Sequence, residues 1–421
     1  ATDNAEIWIA EGTYTPGSSR GTSFTVTGDQ DGLEIYGGFA NGDAFADRSP
    51  DDHPVVLSGD IGVPGDNADN SYHVLVFDGG NAIGNDVGAN VTTATVLDGV
   101  TVTGGNADGS FPESVGGGLF CDGGGTGNKC SPELQNVVFT GNSAEAGGAI
   151  YNLGRDAGTS SPTIINATFI DNSADRDGGA IYNFARDSGS GTGTSSPTIT
   201  DATFINNSAG SNGGAIHNRA SLSTSSPQIT NAVFSGNTAD HGGAIFNSGS
   251  RGSTVSPQIT NSLFIGNSAS AGSGGAMHNE GGSAINPTIT NTTFTGNSAS
   301  DLGGAIYNNK PTPSIILARD ARSSSNPVSR GTKSSDTVSP QITNAILWGN
   351  SAENGGDEIY NDDAEPTLRH TLIEGGVNGS GVGGNPNDDG GNNLDADPLF
   401  VDPSDPDGAD DTFATSDDGL R

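Results

Sequence analysis

The residues of this 421-residue chain best equipped for chemistry are its acids and its few cations. Asp395, Asp397, Asp402, Asp405, Asp407 and Asp410 crowd together near the C-terminal end, and hard carboxylate oxygens at that density can coordinate Ca²⁺. Their spacing is not that of an EF-hand, because a glycine at the sixth place puts Pro403 at the first, so a calcium site and a solvated acidic tail are both open readings. The cations are more orderly. Arg155, Arg186, Arg219, Arg251, Arg319, Arg322 and Arg330 recur between an Asn-containing motif and the next Ser-Pro. Such a basic edge can dock an anionic glycan or the acidic flank of a second copy. The plainer alternative is a set of solvated loops with local Arg155-Asp156 and Arg186-Asp187 pairs, each worth about 0 to 1 kcal/mol. Histidines 53, 73, 217, 241, 278 and 370 form neither an H-E-x-x-H motif nor a Cys/His cluster, so nothing points to zinc, redox chemistry or an organic cofactor. Cys121 and Cys130 bracket the segment DGGGTGNK. They are either free thiols or a small loop disulfide, and the disulfide reading places the chain in an oxidising, extracytoplasmic compartment.

What positions these residues is a repeat. A proline returns at Pro132, Pro162, Pro197, Pro227, Pro257, Pro287 and Pro340, which sets a unit of about 30 residues with insertions, the longest at 309–339. The fullest unit reads SPTIINATFIDNSADRDGGAIYN at 161–183. Two submotifs stay in phase with it: F-x-x-N from Phe139, Phe169, Phe204, Phe234, Phe264 and Phe294, and G-G-A-I or G-G-A-M from Gly147, Gly178, Gly213, Gly242, Gly274 and Gly303. Runs such as PTITNA, TFTGN and AIYN are short, rich in β-branched residues and separated by Gly, Asn and Ser. They read as strands of a parallel β-solenoid, not as hairpins.

The repeat resolves a conflict in the composition. Only 80 of 421 residues are Leu, Ile, Val or Phe, against a net charge of −35, and that combination ordinarily marks disorder. A solenoid core is narrow, so one or two inward Ile or Phe per strand suffice. The 67 glycines exclude an all-α fold, because each interior glycine costs a helix about 1 kcal/mol. The acidic charge opposes binding to nucleic acid or to an anionic membrane surface, and no apolar run reaches the ~18 to 20 residues that span a bilayer.

Asn142, Asn172, Asn207, Asn237, Asn267 and Asn297 are expected to occupy one turn, and Asn152, Asn183, Asn218, Asn247, Asn279 and Asn308 another. In both columns identical amides can hydrogen-bond from coil to coil as structural ladders. After GGAI stands a ring or a histidine, at Tyr151, Tyr182, His217, Phe246, His278 and Tyr307. Alternation turns it outward, where it forms a contact stripe for sugars or another subunit, or simply covers the sheet. Residues 1–130 read as irregular N-terminal coils, 131–361 as seven regular repeats, and 362–421 as a final coil with an acidic Gly/Asn/Asp-rich tail loosening from Val377.

The paired GGAI and FxxN motifs resemble the repeats of the polymorphic outer-membrane proteins. IWIAEGTYTP, LDGVTVTGGNA and DADPLFVDP resemble segments of large secreted right-handed β-helix proteins of the pectate-lyase-like superfamily. The resemblance implies an all-β, right-handed parallel β-helix of about twelve coils, roughly 55 Å long at ~4.8 Å per coil, on a secreted or surface-displayed microbial protein. It also implies the main enzymatic alternative, a polysaccharide lyase using Arg or Lys, or a glycoside hydrolase using paired carboxylates. The cations fall in expected loops, and the repeat strands carry few acids beyond Glu133 and Asp201. The expectation is therefore a structural or adhesive protein with no catalytic residues assigned, whose partners are extracellular glycans or further copies of itself. The strand-like start invites end-to-end stacking into a filament, or else continuation in a longer chain.

Overall fold

Turn residues cut each repeat into four short strands. In the unit that starts at Ser161 these are Thr163–Ile165, Thr168–Ile170, Ser173–Asp177 and Ile181–Arg186. Asn166 (φ 49°) separates the first two strands and Asp171 (φ 53°) the next two. Among L-residues, Asn and Asp enter this left-handed region most readily because their short side chains bond locally. The same columns hold Asn136, Asn231, Asn261 and Asn291 at the first turn and Gly141, Asn206, Gly236 and Gly266 at the second, all with positive φ. The left-handed role thus belongs to these residues and not to the ladder asparagines. The corner before the fourth strand needs the Gly-Gly pair: Gly178 has φ +65°, and a Cβ on Gly179 would lie 2.1 Å from the Gly214 carbonyl oxygen one coil on.

Turning at the same places brings equivalent residues side by side, Ile164 on Ile199, Phe169 on Phe204 and Ile181 on Ile216. The computed structural model describes residues 5–80, 90–250, 252–282, 284–310, 337–385 and 388–399. They form a right-handed parallel β-helix whose four main sheets, I to IV in the order met along a coil, contain 12, 11, 8 and 11 strands. Sheet III, built from the short Asn-Ser-Ala runs, is the face the sequence did not announce. The final coil also reaches further than expected. Val382–Gly384 pairs with Ile359–Asp362, and Leu394 bridges Leu372. Among the described residues no helix is long and apolar enough to cross a membrane.

The core takes few side chains from each coil. Sheet I contributes Ile164, Ile199, Ile229, Ile259 and Ile289, and sheet IV the Ala-Ile pair of GGAI, all fully buried. Sheet II contributes Phe139, Phe169, Phe204, Phe234, Phe264 and Phe294, stacked face to face with ring centroids 4.5–5.2 Å apart. The long connection is shorter than the expected 309–339, because Asn309 ends a paired strand and Thr337–Val338 pairs with Ala284–Ile285; it leaves the order intact, with Ile289 on Ile342 and Asn308 on Asn361 as though the repeat had kept its length.

Both predicted Asn columns are buried ladders. Asn142 begins the first, and each Nδ2 donates to the Oδ1 of the next coil at 2.8–3.0 Å, ending at Asn350. The second, from Asn152 to Asn361, repeats the pattern at 2.8 Å. It does not lie in a turn. Asn183, for example, sits inside the strand Ile181–Arg186, two residues from inward Ile181 and therefore on the same inward face.

Amides aligned head to tail add their dipoles, as peptide units do along a helix. The first ladder leaves its positive end at Asn350, and there Glu358 replaces the repeat alanine. Its carboxylate accepts from Asn350 Nδ2 at 2.6 Å and from the Asn350 backbone N–H at 3.4 Å. Burial nonetheless pushes this carboxyl up to about 8. The folded chain therefore holds the proton more tightly than the unfolded chain, and its stability falls as pH rises from about 4.5 towards 8. Comparison of urea midpoints at pH 5 and pH 8 is expected to show a larger loss for the wild-type chain than for Glu358→Gln, in which this titration is gone. Equal losses in the two proteins would contradict this account.

Candidate functional site

The outward face of sheet IV carries the row of rings, but not as an open stripe. Tyr151, Tyr182, His217, Phe246, His278 and Tyr307 are only 2–8% exposed. Each ring packs on the next, from Tyr151–Tyr182 at 5.1 Å to His278–Tyr307 at 4.7 Å. Alternation gave the correct side of the sheet. It could not reveal that the row is covered by the residue two further along each strand (Leu153 and Phe184 in the first regular coils) and by the corner into sheet IV, with Val115 and Ala146. Around Tyr151 and Tyr182 the row is a second, thin apolar layer, and further along it is flanked by Arg219, Ser248 and Glu280, so it is not an open stripe.

The basic edge also needs correction. Arg155 and Arg186 end the strands Ile150–Arg155 and Ile181–Arg186, Arg219 lies within Ile216–Ser221, and Arg176 within Ser173–Asp177. These cations are therefore on strands. The expected neighbour pairs are replaced by contacts between coils, because side chains of adjacent residues diverge in a strand. Arg155 faces Asp122 at 4.0 Å and Arg176 faces Glu145 at 3.1 Å. The guanidinium of Arg219 lies 5.7 Å from the Phe184 ring centroid. Asp156 accepts from the Ser188 N–H and Asp187 from those of Gly189 and Gly191. Arg251, Arg319, Arg322 and Arg330 lie outside the described residues, as do Asp402, Asp405, Asp407 and Asp410. Asp395 and Asp397 accept from the N–H groups of Gly375 and Leu399. Among the described residues no three His, Cys, Asp or Glu are grouped to hold a metal ion. Cys121 pairs in register with Asn152 and is disulfide-bonded to Cys130, with Cα atoms 5.6 Å apart, so the second ladder starts where the cystine stands.

Two grooves open beside the ring row. One, of about 410 Å³, lies over the irregular coils and is lined by Tyr72, His73, Glu113 and Phe120, with Ser23 and Thr25. Arg20 stacks 4.3 Å above the Tyr72 ring, and Phe111, 58% exposed, packs edge-on against Phe120. Burial pulls the His73 imidazole below its ordinary value. With the Tyr72 face covered by Arg20 and Phe120 buried, the exposed ring here is Phe111, and a ring near a carboxylate and hydroxyls suits the apolar face and hydroxyls of a sugar.

The second groove, of about 420 Å³, crosses the regular coils and is lined by Arg176, Asp177, Asn212, His217, Arg219, Ser248 and Glu280. His217 bridges three coils here. Its Nδ1 lies 3.4 Å from Asp177 Oδ1, in ion-pair range, and its Nε2 lies 2.8 Å from Ser248 Oγ. Asn212 Nδ2 donates to the same Asp177 oxygen at 2.8 Å. Burial alone would raise the Asp177 carboxyl, but the contact with His217, the Asn212 bond and the charge of Arg176 outweigh it and hold it at about 2. Burial lowers the His217 imidazole below its ordinary value despite Asp177. The sequence reading passed over Asp177 and Ser248 and took His217 only as a ring substitute. The available signal was columnar: His217 stands where the neighbouring coils carry Tyr182 and Phe246, and Asp177 and Ser248 lie in adjacent columns of the coils before and after it.

Five stretches, 136–153, 166–183, 201–219, 231–248 and 291–309, match the family model described as the Chlamydia polymorphic membrane protein (Chlamydia_PMP) repeat. Each spans the left-handed turn after sheet I, the stacked Phe, the first ladder Asn, the Gly-Gly corner and the second ladder Asn. The matched stretches are thus coils of a right-handed parallel β-helix. No curated protein and no solved structure matches the chain.

Proposed function

We propose that the chain is a surface-displayed β-helical rod with a structural and adhesive role, contacting extracellular glycans at the groove beside Tyr72 and Glu113, whose exposed ring is the adjacent Phe111. The observation that carries this reading is the coil register, which includes repeats of a surface-protein family and is flanked by a groove next to the exposed ring of Phe111. Disulfide-bonded Cys121 and Cys130 fit an extracytoplasmic location. End-to-end association through the first described coil belongs to the same proposal, since Ile7 and Trp8 are 45% and 44% exposed beside an apolar cavity of about 600 Å³.

A glycan array probed with the purified chain, followed by titration of the best ligand, tests the adhesive reading. Phe111→Ala is expected to weaken binding roughly 2- to 10-fold, the equivalent of one aromatic contact of about 0.5 to 1.5 kcal/mol. Absence of binding to any glycan, or binding indifferent to Phe111→Ala, would count against it. Electron microscopy over a range of protein concentrations tests the assembly, with single rods at every concentration the contrary result.

A further inference from the structure

We propose that Asp177, His217 and Ser248 form an acyl-transfer site that hydrolyses small carboxylic esters carried on polar or anionic molecules. Three successive coils each supply one residue, and the register explains why they meet. His217 occupies the column of Tyr182 and Phe246, Ser248 the column of Phe184 and Arg219, and Asp177 pairs with Asn212 at the corner into sheet IV. A strand spacing of about 4.8 Å lets one imidazole reach from the coil before it to the coil after it.

The parts have the polarity that the chemistry needs. Asp177 faces Nδ1, which favours the tautomer with hydrogen on Nδ1 and leaves Nε2 as acceptor for the Ser248 hydroxyl. The 3.4 Å separation from Asp177 is of the kind that tightens once substrate binds. Asn212 holds the carboxylate in place. Arg219 stands directly beside Ser248 in register and, with Arg176, supplies positive charge to the mouth of the groove. An open polar groove of about 420 Å³ suits a short acyl group on a polar alcohol and not a long lipid chain.

The steps balance. Ser248 Oγ attacks the ester carbonyl carbon while His217 Nε2 takes its proton. The tetrahedral intermediate collapses to an acyl-serine as the C–O bond to the alcohol breaks, and the alcohol leaves with the proton from His217. Water, deprotonated by His217, then attacks the acyl-serine, releasing the acid and restoring Ser248. The other buried histidine of the row lacks this arrangement: His278 Nδ1 meets the Ser273 carbonyl oxygen at 3.1 Å, and its Nε2 lies 3.8 Å from Glu280. It therefore provides an internal control.

The test uses the whole chain, a fluorophosphonate probe and p-nitrophenyl acetate. The expected result is covalent labelling of Ser248, found by peptide mapping, and ester turnover that falls at least about 100-fold in Ser248→Ala and His217→Phe. His278→Phe is expected to leave turnover unchanged. Both histidine variants preserve the fold, because Phe246 already occupies their column. Asp177→Asn is expected to lower kcat with KM unchanged, the mark of a positioning residue. Labelling elsewhere, no labelling at all, or equal turnover in Ser248→Ala and wild type would each overturn the proposal.

Discussion

Asn237→Ala is expected to destabilise the rod by about 3 to 5 kcal/mol, although it removes only a small polar side chain. Asn237 Oδ1 accepts from both the backbone N–H and the Nδ2 of Asn207, and its own Nδ2 donates to the Phe204 carbonyl and to Asn267 Oδ1, all at 2.9–3.0 Å. Alanine leaves two donors of Asn207 without that acceptor in a site that water does not reach. Each stranded donor costs about 1 to 3 kcal/mol, against a few tenths for an exposed polar residue. Asn237→Asp separates hydrogen bonding from size, since it keeps the acceptor for Asn207 but turns an oxygen towards Asn267 Oδ1. It too is expected to destabilise. Urea titration, with hydrogen exchange at the Asn207 amide, reads the effect directly. An unchanged midpoint together with continued protection of Asn207 would show that the ladder contributes nothing.

Phe234→Ala is expected to cost a similar amount for a different reason. The ring is fully buried and lies parallel between Phe204 at 4.7 Å and Phe264 at 4.5 Å. Its removal opens a cavity that the neighbouring coils cannot close, because their spacing is fixed by backbone pairing on every face. Phenylalanine-to-alanine changes in cores cost about 3 to 5 kcal/mol. Phe234→Leu is expected to be much milder, since Leu347 already occupies this column opposite Phe294. Urea midpoints for the two variants check the ranking, and equal loss in both would mean that ring stacking, not filled volume, sets the cost.

The phase of FxxN and GGAI made the parallel stack, the inward Phe and Ile, and both Asn columns legible, because a strict repeat forces equal residues into equal environments. What escaped were features fixed by the shape of the cross-section. Asn152 and its equivalents look like turn residues by type, yet they sit inside a strand because Ile150, two positions earlier, points inward. Arg155 and Arg186 look like loop residues, yet the strand runs on to include them. The buried ring row depends on the corner into sheet IV, which no local pattern encodes. Asp177, His217 and Ser248 lie on three different turns of the chain, and each has an ordinary structural reading when met alone. Their adjacency follows only from reading down the columns.

The connection between Lys310 and Thr337 carries one last implication. Doubling the length of a chain segment that closes between two fixed points costs only about 0.6 kcal/mol, and here the pairing of Asn308 with Asn361 proceeds as if the extra residues were absent. The rod can keep its geometry while this position accepts new segments, and foreign peptides grafted between Lys310 and Thr337 are expected to require no redesign of the coils that hold them.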